Sequence, residues 1–138
     1  MPSDVLGMDH HDIAKLPEPD RELDQLARVV INAAMEVHRN LGPGLLESVY
    51  EQALSVELEL RGIAFAQQVP IAVIYKGVAI GEARLDLLVA DRLVVELKAC
   101  DVLRAVQVSQ LLSYLRASDR SLGLLIDFNV PLLKKKDK

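Results

Sequence analysis

The order of periodicities along the chain predicts a mixed α/β domain in which helices cover a small sheet. Two stretches with helical period come first, three with strand period follow, and a third helix and a last strand close the series. Strands joined by short turns pair as antiparallel hairpins, whereas a strand reached through a helical crossover usually pairs in parallel. About four strands in mixed orientation, flanked by helices, is the expected arrangement.

Leu26, Val29, Val30, Ala33 and Val37 recur at helical spacing from Asp24, and Gly42-Pro43-Gly44 predicts a stop near Asn40. Leu46, Val49, Tyr50, Ala53, Leu54 and Leu58 form the apolar stripe of a second helix, with Gly62 suited to its end. Val69–Tyr75 is rich in β-formers, Lys76-Gly77 signals a turn, and Val78–Val89 reads as the returning strand. Leu93–Lys98 is a third strand, 104–117 a third helix, and Leu122–Phe128 a short buried strand that Pro131 ends. Residues 1–22 hold three prolines and many acids and are expected to be a flexible arm; 23–131 form the domain; 132–138 form a basic tail.

At 138 residues and 15.2 kDa the chain is one domain long. Aromatics are 4 % with no Trp, so the core must be aliphatic and a base-stacking platform is disfavoured. The single cysteine, Cys100, excludes a disulfide framework and a cysteine-based zinc site. His10 and His11 are adjacent and would splay apart on any regular element, which argues against a shared metal. No apolar stretch approaches the ~18 residues of a membrane span, and the acidic N-terminus has no secretory pattern, so a cytoplasmic location away from membranes is expected. Residues 1–59 carry 12 acids against 4 bases, and residues 60–138 carry 8 against 12. The net charge of −4 opposes indiscriminate DNA coating but leaves room for a locally basic face.

Chemistry is suggested by charges where strands should be buried. Asp86 interrupts Leu85 to Val89, and Glu96-Leu97-Lys98 ends the run Leu93-Val94-Val95. Such charges are costly unless paired or metal-bound. A three-residue loop at Ala90-Asp91-Arg92 pairs Val89 with Leu93 and sets Asp86 opposite Glu96, with Lys98 on the same face. A two-residue turn would put the acids on opposite faces. Two facing carboxylates suit a hard divalent ion such as Mg²⁺ or Mn²⁺, and an adjacent lysine can hold water or neutralise a phosphate. A plain surface ion pair explains the same three residues. Glu47 falls on the inward stripe of the second helix, at its N-terminus, where its charge is favoured even without a functional role. Gln107, Gln110 and Tyr114 form a polar stripe on the third helix, which could equally be a solvated face.

The linked order Glu47, Asp86, Glu96-x-Lys98 and Gln110-x-x-x-Tyr114 resembles the PD-(D/E)XK nuclease superfamily, with a RecB-like arrangement. Gly44-Leu45-Leu46-Glu47-Ser48-Val49-Tyr50 resembles the motif naming its small GxxExxY family. The flanking segments 36–44, 75–77, 81–82 and 123–128 fit as well, so the resemblance spans about residues 25–130. It implies a restriction-endonuclease-like core. It also implies Asp86, Glu96 and the Leu97 carbonyl as metal ligands, Lys98 as the catalytic lysine, Glu47 supporting the metal site, and Gln110 and Tyr114 orienting the site or the phosphate. Leu85 replaces the proline of the superfamily's name, and Gln107 stands where the small family would carry a histidine. His38 reads as a helix-end histidine.

Three readings follow. The first is a Mg²⁺- or Mn²⁺-dependent nuclease acting on DNA ahead of RNA. The second is a catalytically silent binding or assembly module that keeps the nuclease fold. The third has the chain act only as a homo-oligomer or with a partner, a stoichiometry that sequence does not decide.

Overall fold

The computed structural model describes residues 5–9 and 21–133. Its elements are β1 (Val5–Asp9), α1 (Arg21–Leu41), α2 (Glu47–Leu60), β2 (Phe65–Tyr75), β3 (Val78–Val89), β4 (Leu93–Lys98), α3 (Ala105–Ser118) and β5 (Leu122–Asp127). The sheet order is β1-β5-β4-β3-β2. β2, β3 and β4 pair as antiparallel neighbours, while β5 lies parallel to β4, as the helical crossover through α3 predicts. This is the expected mixed sheet flanked by three helices, a restriction-endonuclease-like α/β fold, with β1 added antiparallel to β5.

β1 lies inside the stretch expected to be an arm. Five residues with Gly7 at their centre give little strand pattern of their own; the open edge of β5 supplies the hydrogen-bonding partner. Residues 1–4 and 10–20 of that arm, with His10 and His11, and Lys134–Lys138 of the tail lie outside the described residues. The buried core also passes the expected boundaries. α1 starts at Arg21, and Leu133 packs with Val130 in the core beyond Pro131.

The sheet separates two aliphatic layers. On one face Val30, Ala34 and Val37 of α1 and Tyr50, Leu54 and Leu58 of α2 pack against Leu87, Val89, Leu93, Val95, Leu124 and Ile126. On the other, Leu111 and Leu115 of α3 pack against Leu85, Leu88, Val94 and Leu125. Every residue of β5 is buried, so the sheet's centre is dry on both sides. Gly123 lets α3 approach: a Cβ there would lie 2.9 Å from Leu111 Cδ1 and 3.2 Å from Leu115 Cδ2.

One irregularity positions the candidate site. Phe65 on β2 packs toward α1 and α2, but Val69 and Ile71 pack toward α3. On β3, Leu87 and Val89 face α1 and α2, while Leu85 faces α3. Regular pleating would keep these odd-numbered residues on one side. Both strands therefore turn over at the same level, at Gln68 and Asp86. Gln68 has φ +52°, a left-handed conformation uncommon for a residue other than Gly, Asn or Asp.

Candidate active site

The β3–β4 register is Leu87↔Val95, Leu88↔Val94 and Val89↔Leu93, the alignment that sets Asp86 opposite Glu96. Ala90 and Asp91 take φ +53° and +58°, and Arg92 N donates to Val89 O at 3.0 Å, closing the three-residue loop. At Asp86 the regular ladder gives way to side chains. Asp86 N donates to Glu96 Oε2 at 2.9 Å, and Leu97 N donates to Asp86 Oδ2 at 2.8 Å. Each carboxylate thus holds the other's strand, and one oxygen of each is spent on it.

The pair is electrostatically frustrated. Glu96 is 3 % exposed, and burial, reinforced by the Asp86 charge, pushes its carboxyl up to about 8. Burial also raises Asp86, against the pull of the Leu97 amide and Lys98. Among the described residues, no hydrogen bond reaches Glu96 Oε1. Two hard oxygen donors whose mutual repulsion a cation would relieve fit a divalent ion. No group of three or more His, Cys, Asp or Glu able to hold a metal occurs among the described residues. An ion here would need the Leu97 carbonyl and water to complete its shell.

Lys98, at the end of β4, donates from Nζ to Gln110 Oε1 at 3.0 Å, which leaves two ammonium protons for other acceptors. Tyr114, one turn beyond Gln110 on α3, has its phenol raised by burial first and then by the charges of Glu96 and Asp86. Gln110 and Tyr114 are therefore both on the side of α3 toward the Asp86, Glu96 and Lys98 cluster, Gln110 through Lys98 and Tyr114 within range of the acids' charge. Gln107 does not. Its Oε1 accepts from Arg104 N at 2.7 Å at the start of α3, and its Nε2 lies 3.6 Å from Cys100 Sγ.

Glu47 departs from the inward position expected of it. It is the first residue of α2 and is exposed, as are its neighbours Leu45, Leu46, Ser48 and Val49. Its charge still reaches the site and adds to the raising of Glu96. The buried acid of α2 is Glu51, one turn later and 8 % exposed. Glu51 Oε2 accepts from Gln67 Nε2 at 3.0 Å, and its Oε1 from Gln68 Nε2 at 2.8 Å. The same Gln68 Nε2 lies 3.5 Å from Asp86 Oδ1. Sequence reasoning missed Glu51 and Gln68. The one available signal was a second acid spaced i, i+4 from Glu47.

Tyr50 and His38 serve the scaffold. The Tyr50 hydroxyl donates to Gly42 O at 2.5 Å and accepts from Leu45 N at 3.1 Å, tying down the loop before Glu47. Its ring stacks on Phe128 with centroids 4.5 Å apart. His38 Nε2 lies 3.1 Å from Phe128 O and 2.8 Å from Val130 O, so it donates between two carbonyls of the segment after β5.

No helix among the described residues is long and apolar enough to cross a membrane. No curated protein and no solved structure matches the chain. The family model of the PD-(D/E)XK nuclease superfamily matches residues 24–138. That match takes in both strands bearing the acids, the lysine and the whole of α3, and the chain belongs to the PD-(D/E)XK nuclease superfamily.

Proposed function

We propose that this protein is a metal-dependent nuclease of the GxxExxY type that hydrolyses phosphodiester bonds of DNA, with RNA as the lesser substrate. The observation that carries the reading is the convergence of Asp86 and Glu96 across β3 and β4, with Lys98 held alongside by Gln110. Asp86, Glu96 and the Leu97 carbonyl would hold Mg²⁺ or Mn²⁺. A bound ion supplies Lewis acidity toward a phosphoryl oxygen and lowers the pKa of a coordinated water. Lys98 directs its free ammonium protons at the attacking water or the phosphate and stabilises the negative charge that develops there. Gln110 fixes the position of Nζ. Tyr114, which keeps its proton because of its surroundings, is a hydrogen-bond donor toward the phosphate. Glu47 adds negative charge at the metal side of the site.

The test is Mg²⁺- or Mn²⁺-dependent cleavage of DNA and RNA by the purified full chain, with Asp86→Ala and Lys98→Ala as controls. Cleavage that stops in both variants and in chelator supports the proposal. Cleavage that survives both substitutions overturns it. Absence of metal uptake by calorimetry, together with absence of nucleic-acid binding at low salt, would instead favour a silent module on the same fold.

A further inference from the structure

The pair Glu51 and Gln68 lies beside the acids but outside the residues given roles above. Gln68 bridges two carboxylates with one amide nitrogen, at 2.8 Å from Glu51 Oε1 and 3.5 Å from Asp86 Oδ1. An amide NH₂ has two protons, one for each acceptor. Glu51 can act only as an acceptor when ionised, so it dictates which end of the Gln68 amide points inward. The carbonyl end in that place would face Asp86 Oδ1 with a lone pair.

The backbone gives an independent indication. Gln68 sits at φ +52° in a strand, where Gly or Asn would cost less. Strain kept at a non-glycine residue calls for a return from its side chain. The site-facing return visible here is the contact to Asp86, at the level where β2 and β3 both turn over. We propose that Gln68, anchored by Glu51, is a positioning residue that orients the Asp86 carboxylate for its part in the acid pair.

This proposal rests in part on the metal reading, and the experiment separates the two. Mn²⁺ binding to the full chain is measured by calorimetry for wild type, Gln68→Gly, Glu51→Leu and Glu51→Gln, each checked for folding by circular dichroism. Gln68→Gly removes the amide while relieving the backbone. It is expected to weaken Mn²⁺ affinity about tenfold, the low end for a partner that orients a ligand. Glu51→Leu weakens it similarly, and Glu51→Gln, which keeps an acceptor for Gln68, stays within about threefold of wild type. Combining Gln68→Gly with Glu51→Leu adds no further loss, because both break one chain of contacts. Wild-type affinity in folded Gln68→Gly overturns the proposal, as does a Glu51→Leu variant that only melts earlier. If wild type takes up no Mn²⁺, the metal reading fails, and the nuclear magnetic resonance signal of the Gln68 side-chain amide decides the positioning role. A shift of that signal in both Asp86→Asn and Glu51→Leu supports it. A signal unmoved by either overturns it.

Discussion

Asp86 and Glu96 do not bond to each other; each accepts a backbone proton from the opposite strand, Glu96 Oε2 from Asp86 N and Asp86 Oδ2 from Leu97 N. The two contacts replace ladder hydrogen bonds and set the buried Glu96 carboxyl beside the half-buried Asp86. Burial raises the proton affinity of both acids, and the Asp86 charge raises Glu96 further.

A pH dependence of stability follows. Glu96 binds its proton with a pKa of about 8 in the folded chain, against an ordinary value of 4.5. Between these limits the folded state holds more protons than the unfolded state. Stability is therefore full below about 4.5 and falls as the pH rises through 8. Asp86 is raised too and acts in the same direction. Glu96→Gln keeps an oxygen for the Asp86 amide and removes the charge. Without metal it should flatten this slope and stabilise the protein at pH 8 by on the order of 2 kcal/mol. Urea unfolding in chelator at pH 5, 6.5 and 8 measures it. Parallel curves for wild type and variant would contradict the electrostatic account.

Lys98 and Gln110 should behave as one unit in the proposed reaction. Lys98→Ala is expected to lower kcat by about a thousandfold, the scale of a lost charge-stabilising donor. Gln110→Leu leaves the ammonium in place but unguided, and should cost about tenfold in kcat with little change in KM. The double variant should be no slower than Lys98→Ala alone. Steady-state kinetics on the three proteins read the coupling directly. Fully multiplicative losses would mean that Gln110 acts apart from the lysine.

The acids and the lysine stood out in the sequence because they depend on local information, and the register was narrowed to the choice between a two-residue turn and a three-residue loop. A three-residue loop with Ala90 and Asp91 in left-handed conformations sets one alignment, and that alignment brings Asp86 to Glu96. What the sequence concealed depends on distant partners. Glu51 is satisfied by Gln67 and Gln68, sixteen and seventeen positions away, and looks like any helix-surface acid before those contacts exist. β2 begins at Phe65, four residues before the expected Val69, and Gln67 and Gln68 hide that first stretch by breaking its β-rich pattern. His38 is fixed by carbonyls about ninety positions on. β1 needs the edge of β5 before it has any reason to be a strand.

Gly123 controls how closely α3 sits on the sheet, and so where Gln110 and Tyr114 stand. Gly123→Ala puts a methyl 2.9 Å from Leu111 Cδ1, inside normal contact. The overpacking should cost about 1–3 kcal/mol in chemical unfolding. Leu111→Val removes the nearest of the δ-carbons that the methyl meets and leaves Leu115 Cδ2, at 3.2 Å. Combined with Gly123→Ala, it should be less destabilising than the two single changes added together. Simple additivity would show that the close approach is absorbed elsewhere.

The Gly-x-x-Glu-x-x-Tyr segment joins an exposed acid to a buried tyrosine, and the geometry assigns them different work. Tyr50 is fully buried and spends its hydroxyl on Gly42 O and Leu45 N. Tyr50→Phe keeps the ring stacked on Phe128 but leaves those two backbone groups without their partner. The expected cost is about 1–2 kcal/mol of stability, the usual penalty for stranding partly buried polar groups. The loop before α2 would loosen, and the start of the helix, with Glu47, would lose definition. Because the hydroxyl faces the loop and is committed there, kcat of the folded variant should change less than about threefold, while Glu47→Gln should alter metal-dependent cleavage at unchanged stability. Thermal melts and rates on both variants separate these roles. A folded Tyr50→Phe protein with full stability and a hundredfold slower reaction would place the phenol in the chemistry and overturn the division of labour argued from these contacts.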